Sequence, residues 1–168
     1  MIRKHRLSDT SLIVHWCSDE FGMIKTVAKG ALRPKSAFAG KLDLFFDAEI
    51  EFIRSRKSDL HILKELAVDN ARFGLRKTWL QTQAAAYFVQ LLENTAEKDT
   101  PIDEFYDLLR RGLNFLTDNA PTRKAVLHYE KEMAALLGIG GHRMTPYEAI
   151  REVYKRMPPL RAELMEKL

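Results

Sequence analysis

Thiol chemistry is almost absent from this chain, whose 168 residues include a single cysteine, Cys17. No internal disulfide can form, and a zinc site built from several thiolates is excluded. The apolar setting of that cysteine, SLIVHWC, is one in which a buried thiol is at home, and a reducing compartment suits it. Long hydrophobic runs are missing too. No stretch approaches the roughly 18 apolar residues of a membrane-spanning helix. The opening MIRKHRLSDTS is basic, but no apolar signal core follows it, so a cytoplasmic location is expected. Glycine, at 8 residues, and proline, at 6, are too scattered to form a low-complexity linker, and no internal repeat is present.

Catalytic groupings are also lacking. His5, His15, His61, His128 and His142 occur singly, without the spacing of metal ligands. Gly138-Ile139-Gly140-Gly141 follows a helical pattern rather than a strand and lacks the lysine of a phosphate loop, so it reads as a helix end and turn. No enzyme is expected, and no cofactor or metal.

What remains is globular composition, with 46% hydrophobic and 30% charged residues. A chain of this length buries about 70% of its unfolded surface and needs no staple. The net charge of +4 conceals a polarity. Residues 1–42 hold eight Lys or Arg against three acids, and the stretch 23–41 has five cations and no acid; residues 43–66 reverse this, with six acids and four cations. The front of the chain therefore carries a local positive field.

The periodicity divides the chain in two. Five β segments are predicted: Ile2 to Leu7, Ser11 to Cys17, Met23 to Ala28, Leu42 to Ile53, and Leu60 to Leu66. In the longest, Leu42, Leu44, Phe46, Ala48, Ile50 and Phe52 alternate with Asp43, Asp47, Glu49 and Glu51, so one face is apolar and the other reads as a solvated acidic face. Five short strands in under 70 residues suggest a small barrel of OB type. From Arg76 the spacing is helical: Leu80, Ala84, Tyr87, Phe88, Leu91 and Leu92 share one face, with the helix running to about Glu97. Thr100-Pro101-Ile102-Asp103 reads as the start of a second helix, with its stripe at Phe105, Leu108, Leu109, Gly112 and Leu116. Pro121 opens a third, ended by Gly138. Thr145-Pro146-Tyr147-Glu148 is a capping box for a fourth, and a last short helix carries Leu160, Leu164 and Leu168. The expectation is α+β: an OB-fold domain over 1–67 and a helical domain over 76–168.

The basic segment VAKGALRPKSAFAGK carries the functional signal. Lys25, Lys29, Arg33, Lys35 and Lys41 spread over a strand end and an irregular loop. Lys25 and Lys29 share one parity; Ile24, Thr26 and Ala28 take the other and point inward. Cations that track a backbone, with an aromatic at hand, are what sequence-independent single-strand binding needs. Phe38 suits a base platform and a barrel plug equally.

These residues resemble a known family. The features Thr10-Ser11-Leu12, Phe21-Gly22 and Val27 to Ser36 (VAKGALRPKS) are similar to the N-terminal domain of the RecO family of DNA repair and recombination mediators. The likeness continues through Phe73-Gly74-Leu75-Arg76, Ala85-Ala86-Tyr87-Phe88, and His128-Tyr129-Glu130 to Leu136-Leu137-Gly138. The resemblance implies an OB-fold and a helical domain, binding to single- and double-stranded DNA, and annealing of complementary strands. It also implies partnership with RecR and single-strand-binding protein, with RecA loaded downstream. Many members of the family carry a four-cysteine zinc element after the Leu-Leu-Gly position. Here Gly140-Gly141-His142 leads straight into the last helices without cysteines, so a form lacking that element is expected.

Two rival readings stand beside this. In one, the chain is an adaptor whose helical half docks an acidic peptide on Arg110, Arg111 and Lys124, such as the tail of single-strand-binding protein. In the other it is a nucleic-acid enzyme, for which no site is visible. Five neutralised phosphates on single-stranded DNA would give a log–log salt slope near roughly −3.5.

Overall fold

The computed structural model describes residues 1–96, 102–139, 144–155 and 157–168. The chain forms two compact units, Met1–Arg72 and a second from Phe73 onward. Among the sequence features, Thr100-Pro101 and Gly140-Gly141-His142 lie outside the described residues.

The first unit is a five-stranded sheet of β1 (Arg3–Arg6), β2 (Leu12–Ser18), β3 (Gly22–Ala28), β4 (Asp47–Ile53) and β5 (Leu60–Asn70). Its spatial order is β1-β2-β3-β5-β4, with β3 and β5 parallel and the other pairs antiparallel. This is an OB-fold, and with the helices that follow it makes the α+β architecture expected from the sequence. The register explains the inward face. Leu12, Val14 and Trp16 lie opposite Ala28, Thr26 and Ile24, so the two apolar parities meet on one side of the hairpin. The one polar pair on that face is self-satisfied, since Trp16 Nε1 donates to Thr26 Oγ at 2.8 Å.

The fourth strand is shorter than predicted. It begins at Asp47, because Phe45 adopts φ +68° and turns the chain out of extended geometry. The backbone of this turn is bonded elsewhere: Phe45 N–H donates to the Met1 carbonyl at 2.9 Å, and the Met1 amine donates to the Phe46 carbonyl at 2.6 Å. Arg72, 4% exposed, clamps the same turn, donating to the Phe45 carbonyl and to Asp47, each at 2.8 Å. The acids therefore do not share a single solvated face. Asp43 pairs with Lys4 and Asp47 with Arg72, while Glu49 and Glu51 are exposed. β5 runs past its predicted end to Asn70, and register shifts at Asp47/Ala48 and Glu51/Phe52 bend its pairing with β4.

In the second unit a 3-10 turn, Phe73–Arg76, precedes α1 (Trp79–Thr95), α2 (Asp103–Asp118), α3 (Arg123–Leu136), α4 (Pro146–Tyr154) and α5 (Leu160–Lys167). α1 is the hub: it packs on α2, α3 and α5, and Ala84, Ala85, Tyr87, Leu91 and Leu92 are wholly buried. α2 buries Leu108, Leu109, Leu113 and Leu116. Gly112 allows close approach, since a methyl there would lie 3.0 Å from the Phe88 ring. The third and fourth helices are capped locally, the third starting after Thr122 rather than at Pro121 and the fourth at Thr145 as expected. Thr122 and Thr145 accept from the backbone N–H three residues on, and Glu148 completes the box at Thr145. α3 ends as a Schellman turn, with Gly138 at φ +66° donating to Ala135 and Ile139 donating to Ala134, each at 3.0 Å.

Candidate nucleic-acid interface

The segment between β3 and β4 is a strap of consecutive tight turns. Arg33 N–H donates to the Gly30 carbonyl, Ser36 to Arg33, Ala39 to Ser36 and Lys41 to Phe38, at 3.0 to 3.1 Å. Gly30 at φ +69° and Gly40 at φ +73° supply the left-handed corners that such turning requires. One end is tied to the β1–β2 loop, through Leu32 N–H to the Thr10 carbonyl at 3.0 Å and Gly30 N–H to Ser11 Oγ at 3.3 Å. The strap is amphipathic. Ala31, Phe38 and Leu42 pack against the barrel core, whereas Lys29, Arg33, Lys35 and Lys41 are exposed. Among the described residues none of these four cations forms an ion pair.

Lys25 differs. It lies on β3, half-buried, with its Nζ 2.9 Å from Asp59 Oδ2. Its neighbour across the hairpin is His15. Burial, then the charges of His5, Lys25 and Arg3, hold the His15 imidazole below its usual pKa, so it is neutral at neutral pH. Phe38 is half-buried on the core, and its N–H is taken by Ser36 Oγ at 3.2 Å. The structure thus gathers Lys29, Arg33, Lys35 and Lys41 on one ordered strap and leaves Lys25 on the adjoining strand.

A second group of cations is not apparent from the sequence pattern. Arg54, Arg56 and Lys57 in the β4–β5 loop are exposed, and Arg54 lies 5.5 Å over the Phe21 ring. The acid-rich average of residues 43–66 hid them. The signal that would have found them is topological, because OB barrels bind oligonucleotides across strands 2 and 3 with the β1–β2 and β4–β5 loops on either side.

The helical unit has its own concavity, a cleft of about 460 Å³ between α2 and α3. Its floor is Leu108, Gly112 and the Phe88–Tyr129 pair, stacked with centroids 3.8 Å apart. Arg111, Lys124 and His128 form its rim. Arg110 lies outside that lining. Both arginines are bonded to Asp107, Arg111 Nε at 2.7 Å and Arg110 Nη2 at 3.0 Å, and these bonds hold the Asp107 carboxyl below its ordinary range. Lys124 and His128 are exposed and, among the described residues, in no ion pair.

Among the described residues no group of three or more His, Cys, Asp and Glu is placed to hold a metal ion. No helix described is long and apolar enough to cross a membrane.

Comparison with known proteins bears on both units. Residues 1–71 match the family model described as "Recombination protein O N terminal". The chain is 28% identical over 138 residues to the DNA repair protein RecO of Rhodopirellula baltica, covering 82% of this chain and 51% of that protein. It is 26% identical over 131 residues to RecO of Syntrophus aciditrophicus, covering 78% and 51% respectively. With RecO of Bacillus cytotoxicus the figures are 26% over 139 residues, covering 83% and 55%. The chain thus spans about half the length of these curated relatives. The barrel matches the N-terminal domain model of the RecO family, and the similarity to RecO proteins runs on into the helices.

Proposed function

We propose that this chain is a non-enzymatic DNA-binding protein of DNA repair and recombination, gripping single- and double-stranded DNA through the barrel without regard to sequence. The observation that carries the reading is the amphipathic strap, which turns its apolar residues onto the barrel and leaves Lys29, Arg33, Lys35 and Lys41 exposed and free of ion pairs among the described residues. Cations without acidic partners replace the counterions of a phosphate backbone, and contacts to phosphate carry no base information. Lys25 joins them at the cost of its bond to Asp59. Phe38, occupied by the core, anchors the strap rather than stacking on bases.

Annealing follows from the same charges. Two strands held on one positive surface repel each other less, which lowers the barrier to pairing. As a RecO relative, the chain would act at the nucleoid in the cytoplasm, with RecR and single-strand-binding protein as partners, helping to load RecA on coated single strands. Replacing Lys29, Arg33 and Lys35 together by alanine tests the grip. Exposed side chains leave the fold intact, and affinity for both DNA forms should fall at least tenfold in an electrophoretic shift series; undiminished binding would refute the reading.

A second reading concerns the helical cleft. An apolar floor with a cationic rim at Arg111, Lys124 and His128 fits a short acidic peptide ending in a bulky apolar residue, the chemistry proposed here for the tail of single-strand-binding protein. Asp107 offsets part of that charge, so Lys124 carries more of the attraction than Arg110 or Arg111. Loss of peptide binding in Lys124→Glu, with DNA binding retained, is the expected result.

A further inference from the structure

Two large aromatic side chains of the helical unit stand in solvent. Phe73 is 71% exposed and Trp79 is 69% exposed. Their exposure does not come from a slack segment. Between them Leu75 is wholly buried, and its carbonyl accepts from the Thr82 hydroxyl at 2.7 Å. Gly74 lies so tightly on the end of α2 that a methyl group there would run into the Thr117 carbonyl. Thr78 caps α1 by accepting from Gln81 N–H at 3.1 Å, and the Gln81 amide donates to the Leu116 carbonyl at 3.0 Å. The backbone carrying both rings is pinned.

A large exposed ring on a pinned backbone loses the benefit of burial and is offered to a partner. The surrounding chemistry indicates which. Arg76 and Lys77 lie between the two aromatics and are exposed, and the sequence from Phe73 to Leu92 contains no acid. Aromatics interleaved with cations match a polymer that alternates flat apolar faces with negative charges.

We propose that Trp79 is a base-stacking platform for single-stranded nucleic acid, with Lys77 meeting its phosphates, and with Phe73 and Arg76 nearby in sequence. This goes beyond the barrel reading, because the platform belongs to the helical unit and supplies the stacking surface that Phe38 does not. Duplex bases are already stacked on each other, so the platform discriminates in favour of unpaired strands. A protein bearing both a backbone grip and such a platform can tell single strands from duplex without reading sequence.

The chain's two tryptophans make the test direct. Trp16 is 4% exposed inside the barrel, so it serves as an internal reference, and Trp79 is the reporter. Titration with an unstructured oligonucleotide should quench the tryptophan emission saturably, and a duplex of the same length should quench it far less. Trp79→Phe should abolish the quenching and keep most of the affinity. Trp79→Ala should weaken single-strand binding about tenfold and leave duplex binding unchanged. Emission indifferent to single strands, together with wild-type affinity of Trp79→Ala, would assign the ring to another partner and overturn the proposal. The strap variant separates the two claims. If it loses duplex and single-strand binding while Trp79→Ala binds normally, the grip stands and the platform fails. If it binds normally while Trp79→Ala does not, the barrel reading fails and the platform stands.

Discussion

Lys25 and Asp59 join β3 to the approach of β5 through an ion pair at 2.9 Å, and among the proposed barrel cations only Lys25 is already answered by an acid among the described residues. Both side chains are substantially exposed, 38% and 69%, so the pair adds at most about 1 kcal/mol to stability. Its consequence is for binding. Asp59→Asn should leave thermal stability nearly unchanged, raise DNA affinity about two- to threefold at low salt, and steepen the single-strand salt slope by roughly 0.5 as Lys25 becomes fully available. Reduced affinity in that variant would mean Asp59 positions Lys25 productively.

Glu130 is wholly buried in the helical unit and gathers three elements. It accepts from the Tyr87 hydroxyl at 2.6 Å and from Arg161 Nε and Nη2 at 2.5 and 3.0 Å, and Arg161 in turn lies 3.6 Å over the Tyr147 ring. Burial, reinforced by the charge and hydrogen bond of Glu130, drives the Tyr87 phenol far above its ordinary range. Glu130→Gln strips the charge partner from a largely buried guanidinium. Chemical denaturation should show a loss of roughly 2–4 kcal/mol, somewhat below the full value for a broken buried pair because Arg161 is 19% exposed. Adding Arg161→Met to that variant should recover part of the loss.

Local signals in the sequence were legible wherever the partner is near in the chain. The hairpin parities of Leu12, Val14 and Trp16 against Ile24, Thr26 and Ala28, the capping box at Thr145 and the stop at Gly138 all appear as expected. What escaped depends on distant partners. Alternation carries the fourth strand back to Leu42 on residue type alone, yet Met1, more than forty positions away, takes the hydrogen bonds of Phe45 and Phe46 and ends it at Asp47. The pairing of Lys25 with Asp59 and the anchoring of Phe38 are likewise invisible to spacing. Trp79 escaped as well, since the helical spacing singles out Leu80, Ala84 and Tyr87 and leaves the exposure of their neighbour to the packing.

Cys17 offers a chemical check on the barrel. Burial pushes its thiol up to about 12, so hardly any thiolate is present at neutral pH. A thiol reagent at pH 8 should modify it on the order of a hundredfold or more slowly than an unstructured cysteine, and denaturant should restore the ordinary rate. Rapid modification of the folded protein would show that this half-buried thiol ionises far more easily than its desolvation implies.

If strap cations bind DNA by displacing counterions, the affinity must fall with salt in proportion to their number. For single-stranded DNA, log affinity against log salt should fall with a slope near −3, about −0.7 for each of Lys29, Arg33, Lys35 and Lys41 with a partial share from Lys25. In the Lys29, Arg33 and Lys35 triple-alanine variant the slope should flatten by about 2. A slope that is unchanged in the variant, or flat in the native protein, would contradict the account.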